Sequence, residues 1–485
     1  MSDCKINSSK AIAVEIVRRL QAAGFSAFWV GGCVRDFLLG REPGDYDIAT
    51  SALPEQIEKL FKRTVAVGRK FGVMVVVENG RPFQVATFRA EADYRDGRHP
   101  EQVTFGDAEA DAQRRDFTVN GLFYDPVAEK LYDWVGGEKD LRAKIIRTIG
   151  APGERFAEDH LRLLRAVRFA AQLGFEIEPQ TFAAVGALAP KIELISAERI
   201  RDELIKLFAP PLLGAPTGRR RIPPPQMSQN AGGTSALPGA ARGLVLLRDS
   251  GLLPGVLPEL VATMVCEQSP DFHPEGTVFE HIRLMLEKMA TDPPSPRSGF
   301  GAASAHPSLP WMVILHDIAK PATAERDPAT GKIHFYGHEK IGAALAERIL
   351  QRLRFPKKQT DEIVACVRQH MQFKDVKQMR KATLRRLLLR ETFPLELELH
   401  RLDCLGSHGD LDLYDFLIEQ AAELEKQPAI RPPLLTGNDL IALGVKPGPA
   451  MGALLAEIRE KQLQDELKSP RQARAWAKKR LLSHG

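Results

Sequence analysis

Residues 28–50 read Phe28-Trp29-Val30-Gly31-Gly32-Cys33-Val34-Arg35-Asp36-Phe37-Leu38-Leu39-Gly40-Arg41-Glu42-Pro43-Gly44-Asp45-Tyr46-Asp47-Ile48-Ala49-Thr50. The apolar opening predicts a strand that runs into Gly31-Gly32. A short helix over 34–39, a turn at Glu42-Pro43-Gly44 and a second strand opening with Asp45 and Asp47 follow. Strand side chains alternate, so Asp45 and Asp47 point to one face. Two adjacent carboxylates repel unless a cation lies between them, and hard oxygen ligands favour Mg²⁺, which completes its shell with phosphate oxygens. The Gly-Gly turn lets backbone N–H groups approach those phosphates, and Arg35 adds positive charge from the first helical turn. Gly-Gly alone is an ordinary turn, and Asp-x-Asp alone is common on solvated strand ends. Their conjunction within two dozen residues is what points to nucleotidyl transfer.

That conjunction resembles the head domain of the class II tRNA nucleotidyltransferase and bacterial poly(A) polymerase family, in which a Gly-Gly-x-Val-Arg-Asp turn precedes a metal-binding Asp-x-Asp strand. The resemblance implies that Asp45 and Asp47 are catalytic Mg²⁺ ligands and that Gly31, Gly32 and Arg35 contact the nucleotide. It also implies an α/β head of the polymerase-β type. Such heads often carry a third carboxylate on the neighbouring strand. Gln84 stands where that acid is expected, so two metal carboxylates are expected here, with Glu78 as a substitute.

Composition sets the frame. A chain of 485 residues with 44% hydrophobic residues should hold three or four domains of ordinary globular character. No apolar run approaches a membrane span, and the polar N-terminal residues lack a signal-peptide core, so a cytoplasmic protein is expected. Five scattered cysteines form neither a disulfide framework nor a zinc ribbon. A net charge of +5 permits nucleic-acid binding through local patches without demanding it.

Around the opening stretch, apolar positions at Ile12, Ile16, Val17 and Leu20 predict a helix over 10–23. A second helix is expected from a Ser51 cap to Phe61, then strands over 64–67, 73–78 and 83–88, with Asn79-Gly80 as a hairpin turn. Residues 89–105 are polar and turn-rich. The family has a flexible loop here that takes part in switching from C to A addition. Arg114-Arg115-Asp116-Phe117-Thr118-Val119-Asn120 matches the family's Arg-Arg-Asp-Phe-Thr-x-Asn motif, which implies that Arg114, Arg115, Asp116 and Asn120 line the nucleotide site.

Residues 155–174 read as one helix, with Arg162, Arg165 and Arg168 at spacing three along one side and Asp159 a turn before Arg162. Such a run suits a solvated, salt-bridged helix. A rigid Asp/Arg pair can also read a base edge, because C and A each offer an exocyclic amine beside a ring acceptor, and G and U present the reverse polarity. The resemblance maps the family's Glu-Asp-x-x-Arg template for CTP and ATP onto Glu158, Asp159 and Arg162, leaving Arg165 and Arg168 for phosphates or structure. The segment from Ser196 through Glu203 resembles the next family helix and reads as support for the neck.

Residues 210–240 and 291–309 are Pro-, Gly- and Ser-rich inserts. Beyond them, His281 lies on an apolar helix, His316-Asp317 follows a buried run, and His338, His370 and Asp403 come later. Imidazole and carboxylate together suit divalent transition metals. The pattern resembles the HD phosphohydrolase superfamily, which implies His281, His316, Asp317 and Asp403 as ligands and His338 and His370 as a second set.

The reading is therefore an α/β polymerase-β-like nucleotidyltransferase head over 1–150 and a helical neck with the nucleotide-selecting helix over 151–209. A disordered insert over 210–240, a helical body with an HD-type metal domain over 241–430 and a C-terminal tRNA-binding helical tail over 431–485 complete it. The expected reaction is template-independent addition of CMP and AMP to tRNA 3′ ends from CTP and ATP with Mg²⁺, beside an HD site holding a transition divalent metal. A bacterial poly(A) polymerase and enzymes adding only CC or only A share the head motifs. An HD phosphohydrolase with an RNA-docking head is the alternative from another class. No membrane partner is expected.

Overall fold

The computed structural model describes residues 8–90, 104–209, 237, 239–270, 273–292, 301–426 and 432–482. The expected loop at 89–105 and the insert at 210–240 fall largely outside these residues, as does 293–300 of the second insert. The chain forms two compact units, Met1–Pro258 and Glu259–Gly485.

In the first unit, helix α1 (Ser9–Ala22) buries Ile12, Ala13, Ile16, Val17 and Leu20, and the Ser8 hydroxyl caps its start. Strand β1 (Ala27–Val30) leads through Gly31, whose φ of +73° few other residues adopt, into α2 (Gly32–Leu38). Then come β2 (Ile48–Thr50), α3 (Pro54–Leu60), β3 (Thr64–Gly68), β4 (Val73–Glu78), β5 (Arg81–Thr87), α4 (Ala108–Gln113), β6 (Phe123–Asp125) and β7 (Lys130–Tyr132). The seven strands form one mixed sheet in the order β3-β4-β5-β2-β1-β6-β7. β1 runs antiparallel to both β2 and β6, and β2 runs parallel to β5. One face is closed by Val30, Ala49, Phe88, Ala112 and Phe123, with Phe28, Tyr132 and Trp134 packed against them.

Two details differ from the expectation. Asp45 and Asp47 precede β2 instead of opening it, although the Val30 N–H still donates to the Asp47 carbonyl at 3.0 Å and carries the pairing to that level. Tyr46 is buried against Trp29 (ring centroids 4.8 Å apart), and the two aspartates flanking it are exposed, so the alternation survives in the extended segment. Ser51 does not cap α3. Its hydroxyl accepts from the Ser26 N–H, and Leu53 occupies the cap position.

The unit continues with α5 (Gly137–Ala143), β8 (Ile145–Ile146), α6 (Pro152–Glu158), α7 (Leu161–Leu173), β9 (Glu176–Ile177), α8 (Pro179–Leu188), α9 (Ala197–Phe208), α10 (Gly239–Asp249) and α11 (Leu253–Val256). The single helix expected over 155–174 is two. Asp159 leaves α6 with φ −152° and ψ 103°, an extended conformation, and α7 restarts after His160. Asp159 and Arg162 are thus neighbours across a helix break, not along one helix face. α7 buries Leu161, Leu163, Leu164, Ala166, Val167 and Phe169 and packs against α9 and α10. Residues 241–258 consequently pack with the neck, not with the body to which the expectation assigned them.

The second unit is helical: α12 (Val278–Thr291), α13 (Gly301–Ser304), α14 (Leu309–Leu315), α15 (Lys320–Thr323), α16 (His338–Arg352), α17 (Lys357–Gln369), α18 (Lys381–Leu388), α19 (Phe393–Gly406), α20 (Asp412–Glu425), α21 (Gly437–Ile441), α22 (Pro449–Leu463) and α23 (Pro470–Leu482). A short hairpin, β10 (Glu325–Arg326) with β11 (Ile333–His334), precedes α16. Every residue of α14 is buried, which makes it the central helix of this unit. The last three helices enclose their own core of Leu435, Leu440, Met451, Leu454, Ile458, Ala473 and Ala477. Among the described residues no helix is long and apolar enough to cross a membrane.

Candidate active site

The turn after β1 is built by close approach. A Cβ at Gly31 would meet the Arg115 guanidinium at 3.0 Å, and the Gly31 N–H donates to the Leu122 carbonyl of the neighbouring chain segment. From α2, Arg35 donates to the side-chain oxygen of Asn120 at 2.7 Å and pairs with Asp36. Asn120 in turn donates to Asp116 Oδ1 at 3.3 Å. Asp116 Oδ2 accepts from Arg165 Nε at 2.7 Å. A chain of polar contacts therefore runs from the helix after the Gly-Gly turn to α7, joining Arg35 to Arg165, 130 positions apart.

Burial pushes the Asp116 carboxyl up, and the Arg165 and Asn120 contacts overrule it, so it lies below the ordinary carboxylate range. Asp47 behaves oppositely. Crowding of its carboxyl raises it, Arg115 offsets part of that, and the like charge of Asp45 adds to it. A carboxylate pair held in this state is short of positive charge, and its all-oxygen donor set fits a hard divalent cation.

Arg114 and Arg115 share one anchor that the sequence reading missed. Asp111, on α4, is almost wholly buried. Its Oδ1 takes Arg114 Nε at 2.9 Å and its Oδ2 takes Arg115 Nη2 at 2.9 Å. The signal was present as an acid three and four residues ahead of two arginines, the spacing at which helical side chains meet. Both partners together hold Asp111 below its usual range despite burial.

Around the helix break, Glu158 pairs with Arg155 and with Arg162, and Arg162 Nη1 also donates to the Arg155 carbonyl at 2.9 Å. Asp159 Oδ1 accepts from the Leu161 N–H at 3.0 Å, and its Oδ2 accepts from Arg199 of α9 at 2.7 Å. Glu203, also on α9, takes Arg168 Nε at 2.6 Å. The Phe169 ring lies under three guanidinium groups, those of Arg35, Arg165 and Arg168, at 5.4, 5.2 and 4.0 Å. Arg199 and Glu203, read as neck support, are thus contacts of the candidate site. Glu78, the substitute acid, is tied to Arg19 at 2.6 Å at the far end of β4 and does not join the aspartates.

The second unit holds a separate cluster. His281, His316 and Asp403 bring three ligand atoms within 4.8 Å of one another, and so do Asp317, His338 and His370. His316, His338 and His370 each set Nδ1 against a backbone carbonyl, of Val313, Phe335 and Val367, at 2.9, 2.7 and 2.7 Å. That contact places a proton on Nδ1 and turns Nε2 inward toward the Asp317 carboxylate, at 3.1 Å from His316, 3.3 Å from His338 and 3.6 Å from His370. The Nε2 atoms of His338 and His370 lie only 3.1 Å apart, and His316 Nε2 is buried without a hydrogen-bond partner. Burial lowers His316, while burial of His281 is overruled by Asp403 and Glu275, which raise it to about 9. Asp317 is held well below the carboxylate range by His316 and Lys320 despite burial. Facing lone pairs in a buried pocket with two carboxylates fit a divalent cation. All six residues expected from the sequence meet here. Glu275, 2.7 Å from His281 Nδ1, was not foreseen.

Three family models match the chain: a poly A polymerase head domain over 27–147, a probable RNA and SrmB-binding site of polymerase A over 174–211, and an HD domain over 278–405. The chain is 44% identical over 239 residues to a CCA-adding enzyme of Geobacillus kaustophilus, covering 49% of this chain and 57% of that protein. It is 48% identical over 194 residues to the CCA-adding enzyme of a Staphylococcus aureus strain, covering 40% and 48%. The chain thus matches about half the length of these curated relatives. A crystal structure of the Bacillus stearothermophilus CCA-adding enzyme in complex with CTP superposes with a TM-score of 0.64 at 25% identity, covering 97% of each chain. A Thermotoga maritima CCA-adding enzyme complexed with tRNA shares the fold, with a TM-score of 0.53 at 17% identity over 98% of this chain and 95% of that one.

Proposed function

We propose that this chain, whose first unit carries a poly A polymerase head domain and belongs by it to that family of nucleotidyltransferases, adds CMP and AMP from CTP and ATP to the 3′ end of tRNA in the cytoplasm. The observation that carries the reading is the continuous contact path from the Gly31-Gly32 turn through Arg35, Asn120 and Asp116 to Arg165, ending beside the Glu158–Arg162 pair. A docking surface for RNA has no use for a phosphate-binding turn, an unneutralised carboxylate pair and an acceptor–donor pair in one wall.

In this reading the 3′ oxygen of the RNA attacks the α-phosphorus. A phosphodiester forms, and the bond to the leaving pyrophosphate breaks. Asp45 and Asp47 would hold Mg²⁺, which when bound lowers the pKa of the attacking hydroxyl and neutralises the leaving group. Gly31, Gly32, Arg35, Arg114 and Arg115 receive the triphosphate. Asp116 and Asn120 keep Arg35 and Arg165 in place. Asp159 accepts from the exocyclic amine of C or A, and Arg162 donates to the ring nitrogen. U and G would leave both groups unpaired, which supplies the discrimination. The division that goes with this function is a head over 1–150, a neck over 151–209 joined by 241–258, a body with the HD domain, and a tail over 431–485.

A second activity is favoured by one observation, the six-residue cluster whose Nε2 atoms converge on the Asp317 and Asp403 carboxylates. We propose it as a metal-dependent HD phosphohydrolase site within a bifunctional enzyme. His281, His316, Asp317, His338, His370 and Asp403 would hold a transition divalent metal.

The test uses tRNA ending at the discriminator base, Mg²⁺, and CTP or ATP alone or together, with products sized on a gel. Addition of C, C, then A and a stop supports CCA addition. A long A ladder means a poly(A) polymerase, and two C residues without A mean a CC-adding enzyme. No extension removes the nucleotidyl-transfer reading and leaves the HD site as the working activity.

A further inference from the structure

The histidines of the second unit's cluster are oriented from behind in two ways. His316, His338 and His370 each set Nδ1 against a backbone carbonyl. His281 sets Nδ1 against a carboxylate instead, Glu275 Oε1, at 2.7 Å, and faces Asp403 Oδ1 with Nε2 at 3.0 Å. Neither nitrogen of His281 is aligned for a hydrogen bond, so both contacts are ion pairs in which only the direction of the N–H remains to be adjusted. Glu275 is itself held. The same Oε1 lies 2.9 Å from His273 Nδ1, and the glutamate side chain is only 5% exposed. The loop carrying both residues is closed at its base by an antiparallel bridge between Glu267 and Thr277. The Gln268 N–H donates to the Gly276 carbonyl at 3.2 Å, and the Val278 N–H donates to the Cys266 carbonyl at 3.0 Å. Gly276 takes a φ of +100°, and Thr277 caps α12, so the loop is fixed on the helix that carries His281. His273 and Glu275 both lie ahead of the segment matched as an HD domain, which starts at residue 278.

We propose that Glu275 is a positioning residue for the metal centre of the second unit: it takes the Nδ1 proton of His281 so that the ring presents Nε2 to a divalent cation, and His273 keeps the carboxylate in that line. The proposal rests on the reading of the six-residue cluster as a metal site. A neutral imidazole carries its one proton on either nitrogen, and only the bare nitrogen binds metal. At three histidines a neutral carbonyl fixes the choice. At His281 an anion fixes it, which also makes the imidazole a stronger donor to the cation. Glu275 meets the ring at the nitrogen that the centre does not use, so it acts through His281 and is not itself a ligand. Its other oxygen, Oε2, is buried without a hydrogen-bond partner among the described residues, and His273, Glu275 and His281 bring three ligand atoms within 4.8 Å of one another. An additional cation held directly by these three is therefore the competing role.

The experiment titrates Co²⁺ into the full chain and into E275A, E275Q and H273A after chelation and dialysis, following affinity, the number of ions bound per chain and the visible absorption of the bound ion. The melting temperature of each protein is measured alongside. D317A supplies the baseline, because the signal it loses belongs to this centre and not to the all-oxygen pair in the head. E275A should bind Co²⁺ about 10- to 100-fold more weakly, the usual effect of removing the partner of a metal-bound histidine, with the same number of ions bound. E275Q still offers an oxygen to the Nδ1 proton but no charge, so it should recover part of the affinity and keep the absorption spectrum. H273A should weaken binding less than E275A. Unchanged affinity and spectrum in E275A overturn the proposal. So does the loss of one whole ion per chain in E275A and H273A, which would make these residues ligands of an additional cation. If E275A melts early, E275Q decides: affinity lowered about threefold or more, with ion number and spectrum kept, supports the proposal, and affinity equal to that of the unmodified chain overturns it. Failure of D317A to lose any Co²⁺ signal relative to the unmodified chain is seen before the other variants are compared, and it overturns the metal-site reading itself.

Discussion

Asp45 and Asp47 flank the buried Tyr46 and share one exposed side of the extended segment before β2, and Arg115 offsets part of the rise of the Asp47 carboxyl. Replacing Asp45 with Ala should abolish nucleotide transfer, by a factor of about a thousand or more, with little change in melting temperature, because the residue is exposed. Primer extension and thermal melting together check this. Arg162→Ala should act differently: extension with CTP persists at a lower rate, and UTP and GTP are incorporated. Unchanged discrimination in that variant would sink the template idea. Asp116 carries a pH prediction. Its folded carboxyl lies below the ordinary value near 3.8, so it stabilises the first unit above that value, and the stabilisation is lost as the pH falls through the lowered value. Arg165→Met leaves this buried carboxylate with Asn120 and the Phe117 N–H alone. Arg165 is a third exposed, so the cost is discounted to about 2 kcal/mol, and the acid-unfolding midpoint should move to higher pH by circular dichroism.

The elements owe their positions to a few contacts that tolerate no extra atom. A Cβ at Gly137 would lie 2.1 Å from the Thr118 carbonyl oxygen, in the turn that carries Asn120. Gly137→Ala should therefore destabilise the first unit by about 3 kcal/mol or more and disturb the Arg35–Asn120 contact, which would appear as a lower denaturation midpoint together with a raised KM for CTP. The break between α6 and α7 shows what spacing alone misses. Residues 155–174 have a helical apolar pattern throughout, and three arginines do line α7. At the interruption Asp159 is held by a side chain forty positions away on α9, a contact that leaves no periodic trace.

The two units carry their polar clusters on separate cores. Asp317 contributes to the histidine cluster of the second unit, and its replacement by Ala should strip bound divalent metal from that unit, measured by elemental analysis after dialysis. Addition of C and A to tRNA should remain within about twofold of the unmodified chain, since no residue of the head is touched. A parallel loss of extension would mean that the metal site and the head work as one.

Much of this was legible from local order. The Gly-Gly turn, the alternating aspartates, the double arginine and the His-Asp pair are each written within a few residues, because turn geometry and strand or helix period are properties of short segments. The two-carboxylate expectation rests on the same local reasoning, and Glu78 proved to belong to Arg19. What stayed hidden is long-range. The anchoring of Asp159 by Arg199, of Arg168 by Glu203 and of His281 by Glu275, and the docking of 241–258 onto the neck, join segments that no short spacing relates. Such contacts form only when packing of apolar faces brings the segments together, so their charge pairing is a consequence of the fold and cannot be read before it.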